Sequence, residues 1–291
     1  MTKRYLGLDV GGSSIKTGIV DGEGQMLERG RLPIPESYEG FEAALLEQVE
    51  LARRKHGVLG VGISSCGGIN PYTGEVFAKI APSLQYLIGK NYYSLREKAG
   101  LPLYVEKDGN CAALGEIWTG SAKDLRNFVT LVLGSGLGGA VAIGGRIHEG
   151  ANFLAGDVGY AFPLRDSGSY SPLIAPVAIE NAYQAETGRR LTIPEMKDCY
   201  GRDAAARKYY DQFMYELANV LLTMQYIIDP EMFLLGGGIS AWPELVPDLE
   251  RHILELVRTR DCGPLVPKVR ACTHHNDANI LGAVYNLLLR M

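Results

Sequence analysis

The chain reads as two α/β domains, each built on a mixed sheet. Three observations predict that class. Strand-like and helix-like stretches alternate along the chain, and a strand that runs into a glycine turn and a second strand occurs once in each half. The length, 291 residues, is long for one domain and comfortable for two. The expected domains are 1–117 plus 276–291, and 118–275, hinged across a cleft. The apolar terminal helix, from about Asn276, has no other obvious place to bury its face than the first domain.

Residues 5–10, 15–20 and about 26–32 are expected as three short strands, separated by Gly11-Gly12-Ser13-Ser14 and Asp21-Gly22-Glu23-Gly24. From Gly40 to Lys55 the apolar Phe41, Ala44, Leu45, Val49 and Ala52 recur at three- and four-residue spacing, which predicts an amphipathic helix with Glu42, Glu47, Glu50 and Arg53 outward. The run 57–65 reads as a buried strand ending at the loop Cys66-Gly67-Gly68. A short helix at about 93–99 leads to a strand at 103–106. Asp108 then stands at a strand-to-helix junction in the N-cap position of a helix over 109–118, where the helix dipole favours negative charge. In the second half the hairpin is Phe128 to Leu133, a glycine turn, and Ala140 to Ile143. A helical region at about 171–188 and a helix over 204–228 follow. Pro230 ends that helix before a strand at 232–235.

Composition excludes several function classes. With 46% hydrophobic and 21% charged residues and a formal net charge of −4, the chain is that of a soluble globular protein with no basic face for nucleic acid. Arg53-Arg54-Lys55 is better read as a solvated helix end. The apolar segment after Met1-Thr-Lys-Arg meets Asp9 too soon for a signal-peptide core, so a cytoplasmic protein is expected. The glycine-rich stretch 128–145 suits two strands round a turn better than a membrane span. Five scattered cysteines fit neither a disulfide framework nor a zinc knuckle. Cys66 and Cys111 read as small buried thiols.

The chemistry concentrates at glycine turns. Asp9 can hold a hydrated Mg²⁺, Gly11 and Gly12 let the backbone approach phosphate oxygens, Ser13 adds a hydroxyl and Lys16 a cation. Taken alone, Asp-x-Gly-Gly also closes β-hairpins. Two further strand-to-glycine transitions, Gly134-Ser135-Gly136-Leu137-Gly138-Gly139 and Gly236-Gly237-Gly238, suggest loops gathered round one polyanion, and the chemistry suits ATP. Gly134-x-Gly136-x-x-Gly139 formally satisfies a dinucleotide fingerprint, with Asp157 at roughly the right distance. That reading fails because a helix should begin in the turn, whereas Ala140-Val141-Ala142-Ile143 continues as strand.

Together these motifs resemble the ROK family of sugar kinases, within the actin-like ATPase (ribonuclease H-like) superfamily, over nearly the whole chain. Asp9-Val-Gly-Gly-Ser-Ser-Ile-Lys16 resembles the family's first phosphate motif, Ser64-Ser-Cys-Gly-Gly-Ile-Asn-Pro71 its sugar-side loop, and Glu106-Lys-Asp-Gly-Asn110 its catalytic segment. Gly134 to Gly139 resembles the second phosphate motif, Gly150 to Tyr160 the sugar-binding loop, and Leu235 to Ser240 the adenosine motif. The resemblance implies an ATP- and Mg²⁺-dependent kinase acting on a sugar hydroxyl, that of C6, in a hexose, β-glucoside or N-acetylhexosamine. Asp108 would be the base. Asp9 would hold Mg²⁺ through water, Gly11, Gly12, Ser13, Lys16, Gly134, Ser135, Gly136 and Gly138 would meet phosphates, and Gly237 and Gly238 the adenosine. Gly67, Lys107, Asp108, Asp157 and Tyr160 would meet the sugar. A homodimer is expected.

Two departures stand out. Tyr160 replaces the family's usual His, and no zinc-holding cysteine motif follows, which is similar to the zinc-less branch of β-glucoside and N-acetylmannosamine kinases, so zinc is expected to be absent. Lys107 stands where the family has Asn, and Asp157 where it has Glu. A compensating Lys107–Asp157 pair, a substrate carrying an anionic group, a site of low activity, and an exposed substitution at the cleft rim all remain open. The competing function is a ROK-like protein that binds sugar or nucleotide without turnover. A ROK repressor is disfavoured, because the phosphate strand starts at Tyr5 with no helix-turn-helix before it.

Overall fold

Two five-stranded mixed sheets, alike in strand order and direction, organise the chain. In a computed structural model that describes residues 2–78, 80–161, 168–260 and 263–291, the first sheet comprises β1 (Arg4–Val10), β2 (Ile15–Asp21), β3 (Met26–Leu32), β4 (Val61–Ser65) and β5 (Leu103–Lys107). Its order is β3-β2-β1-β4-β5, with β1 antiparallel to β2 and parallel to β4, and β4 parallel to β5. Between these strands run α1 (Tyr38–His56) and α2 (Leu95–Ala99), and α3 (Asp108–Thr119) follows β5. The second sheet comprises β6 (Phe128–Leu133), β7 (Leu137–Ile143), β8 (Arg146–Ile147), β9 (Met232–Gly236) and β10 (Val269–Ala271). Its order β8-β7-β6-β9-β10 repeats the first, again with two antiparallel pairings on one side of its central strand and two parallel ones on the other. The hairpin seen twice in the sequence is thus the start of a sheet built twice.

The chain divides into two compact units, Met1–Lys123 with Glu149–Ala155 and Asp277–Met291, and Asp124–His148 with Gly156–Asn276. In the first, Leu8, Val10, Ile63 and Val105 form one core with Phe41, Leu45 and Val49 of α1. In the second, α4 (Ser171–Ile174), α5 (Pro176–Thr187), α6 (Ile193–Asp198), α7 (Ala204–Ile228) and α8 (Leu245–Arg260) accompany the sheet. Phe213, Leu217 and Leu221 of α7 pack with Leu131 and Leu235. The helix α9 (Ala278–Arg290) ends the chain and packs on β1, β4, β5 and α3 of the first unit.

Local chemistry explains where the elements depart from expectation. Ser37 caps α1 through Gly40 N, so the helix starts two residues before Gly40, and Gly57 closes it in a left-handed conformation rather than opening a strand. The region 171–188 is two helices, because Pro176 holds Ala175 extended, at ψ 121°. Asp108 is the first residue of α3, and Lys107 is its cap. The sequence reading missed α8, although Leu245, Leu249, Ile253 and Leu256 are buried at helical spacing. It also missed β10, which is three residues long.

Glycine makes the α3–α9 contact possible. A Cβ on Gly282 would lie 1.7 Å from Cys111 O, and one on Gly115 would lie 2.5 Å from Ala278 O. In an open helix interior, Gly→Ala gains about 1 kcal/mol. Here Gly282→Ala is expected to lower stability instead, by about 1–3 kcal/mol or more, because backbone blocks the added methyl. Denaturant unfolding measures the sign, and an unchanged or raised midpoint would refute the close packing.

Candidate functional site

The first sheet brings three loops to one edge. Asp9, Ser64 and Glu106 stand abreast in the parallel register, as do Val10, Ser65 and Lys107. Gly11, Cys66 and Asp108 therefore leave their strands at the same level, at the carboxyl ends, where open α/β sheets carry ligands.

Asp9 is buried and richly bonded. Its Oδ1 accepts from Ser64 Oγ at 3.0 Å and Asn279 Nδ2 at 3.0 Å, and its Oδ2 accepts from Lys16 Nζ at 3.3 Å. The turn beyond it closes through Gly11 N donating to Ser14 O at 3.2 Å. Ser83 Oγ donates to Gly12 O at 2.6 Å, and Ser13 is exposed at the tip. Gly67 adopts a left-handed φ of 94° in the neighbouring loop. The Cys66 thiol beside it is pushed up to about 12, chiefly by burial and then by the charges of Asp108 and Asp9. It is a poor nucleophile at neutral pH.

Asp108 is partly exposed at the start of α3, its Oδ1 accepting from Gly109 N at 2.7 Å. Glu106 is buried behind it, and burial raises its carboxyl above the usual range. Its Oε1 accepts from Lys107 N at 2.8 Å and Asn110 Nδ2 at 3.0 Å, so it ties the backbone before Asp108 to a side chain after it. Lys107 is only 1% exposed and its Nζ donates to Ala155 O at 2.9 Å. That burial overturns the exposed-rim account of this residue.

The second unit presents glycine where the first presents carboxylate. Gly134 N donates to Gly136 O at 3.0 Å across the β6–β7 turn, with Ser135 exposed at its tip, and Leu137 N donates to Ser171 Oγ at 3.1 Å. Gly138 lies within β7, opposite Val132. Gly237 has φ 87°, and a Cβ there would stand 2.0 Å from Leu133 O, so the loop after β9 closes directly on the end of β6. Asp157 caps a single helical turn, Val158–Tyr160, whose Gly159 lies so close to Leu137 O that a Cβ would be 2.1 Å away. Tyr160 is half exposed.

Taken separately, the second unit carries bare backbone of the kind a phosphate can approach and the first a carboxylate of the kind a magnesium ion prefers. A Cβ built on Gly134 or Gly238 meets nothing within 4 Å, leaving bare backbone for a ligand to approach. Asp9 offers carboxylate oxygens, the donors a hydrated Mg²⁺ prefers. The sequence reading placed Ser64 and Glu106 within family motifs but gave them no role, and it gave none to Asn279 or Ser171. A Ser or Glu in an otherwise apolar strand was a usable signal for two of them. Partners 270 positions apart, as for Asn279 and Asp9, left none. Residues 162–167, on which the zinc expectation turns, lie outside the described residues. Among the described residues no helix is long and apolar enough to cross a membrane. A cavity of about 440 Å³ bounded by β2, β3 and α1 contains none of these residues, and Lys55–Glu28 and Arg29–Asp277 ion pairs occupy its charged rim.

Comparison with known proteins identifies the family and the fold. The model of the ROK family matches residues 5–289. A β-glucoside kinase of Listeria monocytogenes serovar 1/2a is 30% identical over 96% of this chain and 96% of its own. An N-acetyl-D-glucosamine kinase of Escherichia coli O6:H1 is 29% identical over 97% and 98%. The crystal structure of a ROK family protein from Streptococcus pneumoniae TIGR4 in complex with sucrose superposes with a TM-score of 0.87 at 26% identity, covering 99% of this chain and 98% of that one. Two mixed α/β sheets of one topology, Asp9 and Asp108 at one sheet edge and a family match over almost every residue lead to one conclusion: the chain belongs to the ROK family and has its actin-like ATPase fold.

Proposed function

We propose that the chain is an ATP-dependent carbohydrate kinase that phosphorylates a hydroxyl, that of C6, of a neutral hexose, β-glucoside or N-acetylhexosamine, with Asp108 as the base. The observation that carries the reading is the pairing of Asp9 and Asp108 at one sheet edge, close enough that both charges raise the thiol of the intervening Cys66. The names of the relatives, β-glucoside kinase and N-acetyl-D-glucosamine kinase, support the sugar class.

In this mechanism Asp108 receives the proton of the acceptor hydroxyl while that oxygen bonds to the γ-phosphorus, and the bond to the bridging oxygen breaks to release ADP. Lys16 and the amides of the Gly11 and Gly134 turns are assigned to phosphate oxygens, and Gly237 and Gly238 to the adenosine. Bound Mg²⁺ would neutralise phosphate charge, with Asp9 holding it through a water. Asp157 and Tyr160 are assigned to sugar hydroxyls.

Lys107 favours a neutral acceptor. Its ammonium is buried and already donates to Ala155 O, so in this reading it fixes the Glu149–Ala155 segment and does not read a substrate anion. A glucoside is therefore expected to be a better substrate than the matching glucuronide. Preference for the glucuronide that weakens as salt is added, the mark of an exposed cation reading an anion, would overturn this part of the reading.

Asp108→Asn is expected to lower kcat by about 10²–10⁴-fold, because the amide keeps the shape but cannot take the proton. Nucleotide affinity should stay nearly that of the parent. ADP release and nucleotide titration measure the two separately. Turnover at the parent rate would remove Asp108 from the mechanism, and no turnover by the parent on any sugar would favour the non-catalytic reading.

A further inference from the structure

The guanidinium of Arg290, in the last turn of α9, joins three chain segments that the sugar-kinase reading assigns to the acceptor side. Its Nη1 donates to Pro71 O at 3.0 Å, at the end of the loop that begins at Ser64. Its Nη2 lies 3.6 Å from Glu106 Oε2, in the segment carrying Asp108, and 3.7 Å from Glu149 Oε1, at the start of the segment that Lys107 holds by its other end, Ala155. Nε donates to Asn286 Oδ1 at 3.0 Å, which sets the plane of the fork from within the same helix. The ring of Tyr72, whose hydroxyl bonds to Glu149, stands 5.1 Å from Arg290 Cζ.

From this convergence the geometry points to Arg290 as a positioning residue for the acceptor site. Resting on the kinase reading, the inference adds a residue that works through others. Glu106 and Glu149 are like charges that face each other, and the guanidinium lies between them. Without it, Glu106 is a buried carboxylate beside a second one, so it would take up a proton, which weakens the bonds that Oε1 accepts from Lys107 N and Asn110 Nδ2, or move away from them. Either change loosens the junction that aims Asp108. Lysine would restore the charge but not the planar fork that reaches a carbonyl and two carboxylates at once. The helix itself does not depend on this residue, because Ile280, Leu281, Val284 and Leu287 bury its face upstream, whereas Arg290 retains 21% side-chain exposure.

The test uses the full chain with Arg290→Gln, Arg290→Lys, and Arg290→Gln combined with Glu149→Gln. Steady-state kinetics with glucoside and ATP varied separately are paired with amide hydrogen exchange on peptides covering 64–72, 106–110 and 149–155. Arg290→Gln should lose about 10–100-fold in kcat/KM for the glucoside, the scale of a misplacement near 1 Å. The KM for ATP should be nearly unchanged, and exchange should quicken in the three segments while the rest of α9 stays protected. Arg290→Lys should recover part of the loss. Adding Glu149→Gln should recover part as well, since it removes the like charge beside Glu106, and such coupling is absent between independent sites. Parent-like kinetics and exchange in Arg290→Gln would overturn the proposal, as would equal losses toward glucoside and ATP with α9 exchanging throughout. Failure of the kinase reading shows separately, as a parent that phosphorylates no sugar. In that case exchange still decides: quickening confined to the three segments supports the positioning role, and unchanged exchange rejects it.

Discussion

The C-terminal helix α9 lies directly on the backbone of β1 and β4 because the residues beneath it are glycines. A Cβ on Gly7 would come within 2.6 Å of Ile280 Cγ2, and one on Gly62 within 2.1 Å of Ala283 O. From the other side α3 approaches as closely, with Gly115 against Ala278 O and Gly282 against Cys111 O. A helix held between backbone surfaces cannot slide along its axis without a clash, so its register is fixed. One end then places Asn279 on Asp9, and the other, roughly 17 Å along the helix, places Arg290 beside Glu106. The last residues of the chain thus set the geometry of groups near its beginning and middle.

Two copies of one sheet topology have taken different chemistry. Asp9 pairs with Ser64 just before the first glycine turn, and the matching position in the second sheet is Val132, paired with Gly236. The backbone course is the same, yet the first copy ends in carboxylates and hydroxyls and the second in glycines. A carboxylate suits a metal or a proton, whereas an unobstructed glycine backbone suits an anion. The two sheets share one framework, and single side chains at equivalent strand positions give them different chemistry.

What the sequence made legible was local. Apolar runs that end in Gly-Gly or Gly-x-Gly disclosed the hairpins, and the spacing of Phe41, Leu45, Val49 and Ala52 disclosed α1. Residues two apart on a strand share a face, so Gly7 with Asp9, Gly62 with Ser64, and Tyr104 with Glu106 wrote the α9-facing surface into the sequence as small or polar residues alternating with Leu8, Ile63 and Val105. That pattern could be read as a face but not as a partner. Nothing local in Asn279 or Arg290 names Asp9 or Glu106, since those contacts depend on how a distant helix docks. Asp108 was misplaced by one position for a related reason. Its short carboxylate is a good cap, but Lys107 remains in the extended conformation and takes that place, at φ −63° and ψ 141°.

The gathering of Asp9, Glu106 and Asp108 at one edge carries an electrostatic cost that the surrounding donors offset in different ways. At two strand spacings, roughly 10 Å, and an effective dielectric near 20, a like-charged pair repels by roughly 1.5–2 kcal/mol. Glu106 faces a guanidinium and two neutral donors. Asp9 takes one ammonium and two neutral donors. Asp108 bonds to the amide of Gly109 at a helix N-terminus. Neutral donors orient a carboxylate without cancelling its charge, so Asp108 and Asp9 keep a negative field at Cys66 between them. The raised Cys66 thiol registers that field, since after burial its next contribution comes from Asp108. A polyphosphate meeting such an edge is repelled unless a cation accompanies it. That repulsion is the physical reason the proposed reaction calls for Mg²⁺ near Asp9, a cation that would also offset the carboxylate charges at this edge.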